Sequence, residues 1–370
     1  MTAEQLVTAL VSIDSVNPDL VPGGAGEAEI AAFVAGWLRD AGLEVEVLEA
    51  DPARPSVVGV ARGRGGGASL MLNAHMDTVG VEGMARPFTP ETRDGRLYGR
   101  GAYDMKGSLA ACMLATSRLA SEGLSGDVML AAVADEEHAS IGMQSVLERR
   151  RADAAIVTEP TSLGVCVAHK GFAWAEIEVE GRAAHGSRPA EGKDAITRMA
   201  PVLTRLTELQ ASLDSGVGHP LTGPGSVHAS LIEGGQELSS YPARCLLSLE
   251  RRTAPGESAA DFRRECEALV EGVEGAELRM GLVRHPFEVE PDAAVVGALR
   301  RAAHAVTGSP AEPYGETYWM DAALIQAAGI PTVVFGPAGA GAHAVEEWVD
   351  LASVEACTEA LVAAARELCA

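Results

Sequence analysis

Short, continuous apolar runs alternate with stretches of helical periodicity through the first half of the chain. Residues 69–73, 127–133 and 154–158 are runs of a length and apolarity that suit strands buried on both faces. Residues 105–121 place small and apolar side chains at helical spacing and predict a helix between the first two runs. Strands separated by helices predict an α/β fold whose parallel or mixed sheet is flanked by helices. Residues 330–335 repeat the buried-strand pattern near the end, and an amphipathic helix is predicted over 351–368. Between these parts the texture changes. Residues 174–180 (Trp-Ala-Glu-Ile-Glu-Val-Glu) alternate apolar and polar positions, as a half-exposed strand does. Residues 226–232 and 245–250 are similar, with helical stretches at 194–213 and 258–270. An antiparallel sheet with helices on one face fits this part. The pattern therefore predicts a split main domain, 1–172 and 288–370, carrying an inserted α+β domain at 173–287. No internal repeat is visible, and Arg62-Gly63-Arg64-Gly65-Gly66-Gly67 reads as a loop or hairpin.

Composition adds limits. At 370 residues the chain exceeds a comfortable single core, which agrees with two domains. A hydrophobic share of 47% with 22% charged residues is that of a globular enzyme rather than a disordered chain. The 52 acidic residues against 29 basic ones give a formal net charge of -23. A field of that sign repels phosphate backbones, so neither nucleic acid nor an anionic membrane is an expected partner. Cys112, Cys166, Cys245, Cys266, Cys357 and Cys369 are scattered, mostly in apolar stretches, and read as buried reduced thiols. The N-terminus lacks the pattern of a signal peptide, and no apolar run is long enough to span a bilayer. A cytoplasmic enzyme is expected.

The candidate chemistry clusters at strand ends. His75 and Asp77 follow the first run, Asp135-Glu136-Glu137 the second and Glu159 the third, while His343 lies in a glycine-rich loop beyond 330–335. Open α/β sheets bind ligands outside the carboxyl ends of their strands. Each residue has a plainer reading alone: a loop histidine, a solvated acidic turn, a turn residue before proline. Asp104, just ahead of the predicted helix, reads alone as its N-cap. Together they form a donor set of imidazoles and carboxylates that suits zinc or a similar first-row divalent ion. Three consecutive carboxylates directly after a buried strand are costly without a cation nearby. Adjacent glutamates on extended backbone point in opposite directions, which would give Glu136 and Glu137 separate roles. No dinucleotide-binding glycine fingerprint follows the first strand.

With these residues in view, the chain resembles the M20 metallopeptidase family, which includes acetylornithine deacetylase, succinyl-diaminopimelate desuccinylase, aminoacylase-1 and glutamate carboxypeptidase. The resemblance rests on Asn73-Ala74-His75-Met76-Asp77-Thr78-Val79, on Gly99-Arg100-Gly101-Ala102-Tyr103-Asp104-Met105-Lys106-Gly107, and on Asp135-Glu136-Glu137. It continues through Glu159-Pro160-Thr161, the segment around His185, and Ala342-His343. It implies a zinc-exopeptidase-like catalytic domain holding two divalent ions, zinc first, with cobalt or manganese also accepted. His75, a bridging Asp104 and Glu159 would hold one ion; Asp104, Glu137 and His343 would hold the other. Glu136 would be the general base and acid, and Asp77 the carboxylate that orients His75. A cis peptide would follow Asp104. The inserted domain would act as a lid and as the interface of a homodimer, with His185 steadying the oxyanion and Arg252 holding a substrate carboxylate. Two positions depart from the family pattern: Ser239-Ser240 stands before Tyr241-Pro242 in place of asparagine, and Glu250 stands ahead of Arg252 in place of aspartate. The implied activity is hydrolysis of the amide bond of a small N-acyl amino acid, in the manner of acetylornithine deacetylase. Cleavage of a dipeptide or of a carboxy-terminal residue is the alternative.

Overall fold

Strand Leu70–His75 is buried along its whole length, and its place in the sheet explains why. It pairs in parallel with Val128–Val133 on one side and Ala154–Val157 on the other. In the computed structural model, which describes residues 1–51 and 53–370, these strands lie within a larger mixed sheet. Its order is Glu44–Asp51, Arg54–Ala61, Val128–Val133, Leu70–His75, Ala154–Val157, Thr332–Val334, Cys166–His169. The first two strands form an antiparallel hairpin, and Thr332–Val334 runs parallel to Ala154–Val157. Helices Gly107–Leu119, Ile141–Arg149 and Ala294–Thr307 pack on these strands, and Leu351–Leu368 packs on the first and last of the three helices. The parallel register brings the carboxyl ends to one edge, with His75 opposite Val133 and Asn73 opposite Val157.

Two local features shape that edge. Leu351–Leu368 starts where the Asp350 side chain accepts the Ser353 N–H at 2.8 Å, and it spans the predicted residues. The predicted helix at 105, in contrast, begins only at Gly107. The segment Ala102–Lys106 departs from helical geometry at Asp104 (φ −117°, ψ 94°) and Met105 (φ −134°, ψ 38°), and the peptide bond between them is cis. The N-cap position falls to Lys106, so the capping reading of Asp104 does not hold.

The chain divides into two compact units. One comprises Met1–Val167, Val289–Tyr314 and Met320–Ala370; the other comprises Ala168–Glu288 and Gly315–Trp319. The second unit is built on an antiparallel sheet in the order Ser226–Gly234, Arg244–Thr253, Gly171–Glu180, Ala276–Arg284. Alternation sends Ala173, Ala175, Ile177 and Val179 inward with Cys245, Leu247 and Leu249. There they meet Met199, Val202 and Leu206 of helix Ala195–Ser215, and Phe262, Cys266 and Leu269 of helix Ala259–Val270. Each of the larger side chains here (Ile, Val, Leu, Met and Phe), once fully buried, contributes about 1.5–3 kcal/mol of transfer free energy. Both helices are capped, by Asp194 and by a Ser258–Asp261 capping box. All six cysteines are free and buried. Among the described residues, no helix is long and apolar enough to cross a membrane.

Candidate metal centre

His75 closes a central strand, and its ring is almost fully enclosed (2% exposed). Its Nε2 lies 3.1 Å from Asp104 Oδ1 and 3.7 Å from Glu159 Oε1. The other oxygen of the same aspartate, Oδ2, is 3.4 Å from His343 Nε2, and Glu137 Oε2 approaches that nitrogen to 3.1 Å. Asp104 thus turns one oxygen to each of two imidazoles. Two of the donor sets close enough to share an ion include His75: His75, Asp104 and Glu137, and His75, Glu136 and Glu159. The sequence brought forward His75, Asp104, Glu136, Glu137, Glu159 and His343, and the fold gathers all six at one sheet edge.

The loops that carry them are tightly constrained. His343 takes a left-handed backbone (φ 61°) directly after a run of small residues. Gly336 lies against the Glu159 strand end so closely that a Cβ there would meet Glu159 O at 2.3 Å and Thr158 O at 2.4 Å. Only glycine fits that approach. Glu136 and Glu137 do not lie on extended backbone, as the alternation argument supposed. They sit in a turn entered through Asp135 at φ 65°, so the turn rather than strand alternation sets their directions.

Asp77 has contacts beyond the one expected of it with His75. The His75 Nδ1 contact goes to the Asp77 main-chain oxygen at 3.0 Å, while the nearer carboxylate oxygen stands 3.6 Å away. The carboxylate also accepts the N–H groups of Glu136 at 3.1 Å and Glu137 at 3.2 Å, and the Asn17 amide at 2.8 Å. Behind the turn, Asp135 accepts from Asn17 and Arg54, both at 3.0 Å. Arg54 is also bound by Glu27, whose Oε1 accepts the Asp135 N–H at 3.1 Å. Sequence reading missed Asn17, Glu27 and Arg54, because their role comes from contacts across 27 to 118 positions of chain.

The electrostatics follow from four carboxylates packed around two imidazoles. Burial, reinforced by the charge of Glu159, pushes the Glu136 carboxyl well above the usual carboxylate range. Burial does the same to Glu159, against the attraction of His75. Burial and the charge of Asp104 raise Glu137 as well. Buried Asp321, from the loop after residue 314, adds further negative charge against Glu136 and Glu159. Hydrogen bonds to Asp104 and Glu137 raise His343 to about 10. A buried surplus of acid of this kind is stabilised by cations, and oxygen and imidazole donors without sulfur match a divalent first-row ion. The residues present fit such ions.

His185 and Arg252 belong to the second unit. The exposed His185 ring lies with Nδ1 2.7 Å from the Ser187 hydroxyl and 3.2 Å from the Ser187 main-chain nitrogen. Its segment pairs with the departing Ser239-Ser240 segment through Gly186 N to Ser239 O and Tyr241 N to Ala184 O. Arg252 stacks over Phe172 and donates to Glu250 Oε1 at 2.6 Å, while Glu250 Oε2 accepts Trp174 Nε1 at 3.0 Å. The longer glutamate reaches both partners.

A mixed sheet that presents a buried histidine–carboxylate cluster at its carboxyl edge is the frame of a metal-dependent hydrolase. Residues 71–367 match Peptidase family M20/M25/M40, and the chain belongs to that family. It is a metal-dependent amidohydrolase or peptidase. Among its relatives is an acetylornithine deacetylase from Myxococcus xanthus, 32% identical, the match covering 98% of this chain and 96% of that protein. A tripeptidase structure from Staphylococcus aureus is similar at TM-score 0.82 and 20% identity, covering 99% of this chain and 98% of that one. A dinuclear metal-binding M20 peptidase from Bacillus subtilis is similar at TM-score 0.74 and 17% identity, covering 99% and 97%.

Proposed function

We propose that the chain is a di-metal deacylase that cleaves the amide bond of an N-acyl amino acid, in the manner of acetylornithine deacetylase. The observation that carries this reading is Asp104, whose two oxygens face His75 and His343 separately, at 3.1 and 3.4 Å. His75, Asp104 and Glu159 would hold one ion, and Asp104, Glu137 and His343 the other. Zinc suits these donors best, with cobalt and manganese compatible. When bound, two such ions polarise a carbonyl and lower the pKa of water.

The protein's own groups do the rest. Glu136 takes a proton from the attacking water and returns it to the leaving nitrogen. Asp77 fixes the Glu136–Glu137 turn through its carboxylate and the His75 ring through its main chain. His185 offers Nε2–H to the oxygen that gains charge in the transition state, which requires the second unit to act as a closing lid. Arg252 presents a planar cation to the substrate carboxylate. The 32% identity to a deacetylase over nearly the full chain supports the deacylase assignment. Turnover on N-acetyl amino acids well above turnover on dipeptides, in protein carrying two ions per chain, is the expected result. The reverse preference assigns a dipeptidase or carboxypeptidase, and metal-free protein with full activity overturns the mechanism.

The second unit also supports a homodimer. Strand Ser226–Gly234 is a sheet edge and exposes Leu231 (64%) and Ile232 (52%), a combination that soluble proteins usually cover. Sedimentation of Ile232→Lys is expected to give monomer where the wild type gives dimer; a monomeric wild type removes the idea. The six buried free thiols favour a reducing, cytoplasmic setting.

A further inference from the structure

Glu347 is a buried carboxylate near the centre with both oxygens engaged, and none of the roles above uses it. It is 1% exposed. Its Oε1 accepts the main-chain N–H groups of Tyr103 at 2.9 Å and Asp104 at 3.0 Å. Its Oε2 accepts the Gly101 N–H at 3.0 Å and Arg100 Nη1 at 2.6 Å. Arg100, itself 3% exposed, reaches on to Gly80 O at 3.1 Å and to Ala344 O at 2.9 Å. Ala344 is the residue after His343. One buried ion pair therefore clasps the irregular segment that presents Asp104 and ties it to the loop that presents His343.

Resting on the di-metal reading above, we propose that Glu347, with Arg100, is a positioning residue that sets Asp104 and His343 as a pair. The cis segment Ala102–Lys106 is closed by main-chain bonds from Lys106 N to Gly101 O and from Gly107 N to Ala102 O, while the N–H groups of Gly101, Tyr103 and Asp104 find their acceptor in this one side chain. A carboxylate suits the task because both oxygens only accept. An amide in the same place fails in either orientation. Its NH₂ faces either the Tyr103 and Asp104 N–H groups or the Gly101 N–H and the Arg100 guanidinium, so donor meets donor. The shape is kept while the clasp is lost. Because Asp104 is shared, its displacement acts on both ions, whereas damage confined to His343 acts on one.

The test measures metal content, resistance to a competing chelator and steady-state kinetics for wild type, Glu347→Gln and Arg100→Lys. Wild type with two ions per chain is expected. Glu347→Gln is expected to release both ions at a chelator concentration about tenfold or more below that needed for wild type, with kcat down by roughly 10–100-fold. Its KM should stay near the wild-type value, since the substrate-contacting residues are untouched. Should Glu347→Gln fail to fold by circular dichroism, Arg100→Lys decides. It keeps the charge toward Glu347 but cannot span Gly80 O and Ala344 O together, and the same weakened retention is expected. Two tightly held ions and unchanged kcat in the folded variants overturn the positioning role alone. A wild type that holds no metal and gains no turnover on metal addition overturns the di-metal reading, and the positioning role with it.

Discussion

Glu136→Gln is expected to keep both metal ions and to lose turnover by roughly 10²–10⁴-fold, the range that a general base supplies. The isosteric amide preserves the turn, because its main-chain N–H still donates to Asp77 Oδ1 at 3.1 Å. What it removes is the ability to accept a proton. The local field favours that role. Burial and the charge of Glu159 raise the Glu136 carboxyl well above the usual range, which increases its basicity relative to an exposed glutamate. The geometry offers a competing role, since Glu136 also stands with His75 and Glu159 in a set that could share an ion. Metal analysis separates the two. If the variant loses an ion, Glu136 is a ligand; if it keeps both and turns over at the wild-type rate, proton transfer belongs to another group.

The main architecture was open to sequence reading because the relevant patterns are short-range. The strands Leu70–His75, Val128–Val133 and Ala154–Val157 are buried on both faces, and their continuous apolar runs say so directly. The alternation in Gly171–Glu180 likewise exposes Trp174 while burying Ala173 and Ala175. Residues that end such strands fall at one edge whatever the loops do, and this made His75 and Glu159 visible. Loop geometry was less accessible. Nothing periodic marks Ala102–Lys106 as a break ahead of the helix, and the break is what frees Asp104 from a capping role. Nothing local distinguishes buried Glu347 from its exposed neighbour Glu346, since the difference lies in contacts made about 245 positions away with residues 101–104. The same holds for Arg54, whose partners are scattered from Asp19 to Asp135. Segment Gly315–Trp319 groups with the second unit although both its neighbours group with the first, a division that short-range pattern does not carry. Long-range polar contacts of this kind set the site, and hydropathy is silent about them.

Asp104→Asn is the other large effect expected, and it bears on metal number rather than on proton transfer. In the wild type, Oδ1 faces His75 and Oδ2 faces His343, so a single carboxylate can satisfy two cations at once. An asparagine keeps one acceptor and replaces the other with a donor, and it also removes the negative charge that offsets the ions. The variant should therefore hold at most one ion tightly. Transition-state stabilisation by metal amounts to several kcal/mol, so kcat/KM should fall by roughly 10³-fold or more. His343→Ala provides the contrast. It removes a donor to one ion only and should leave the other, held by His75 and Glu159, at close to full occupancy. Equal metal loss in the two variants would show that the sites are filled as a unit. Two ions retained in Asp104→Asn would remove the bridging role of Asp104 and leave each ion to its histidine and glutamate partners.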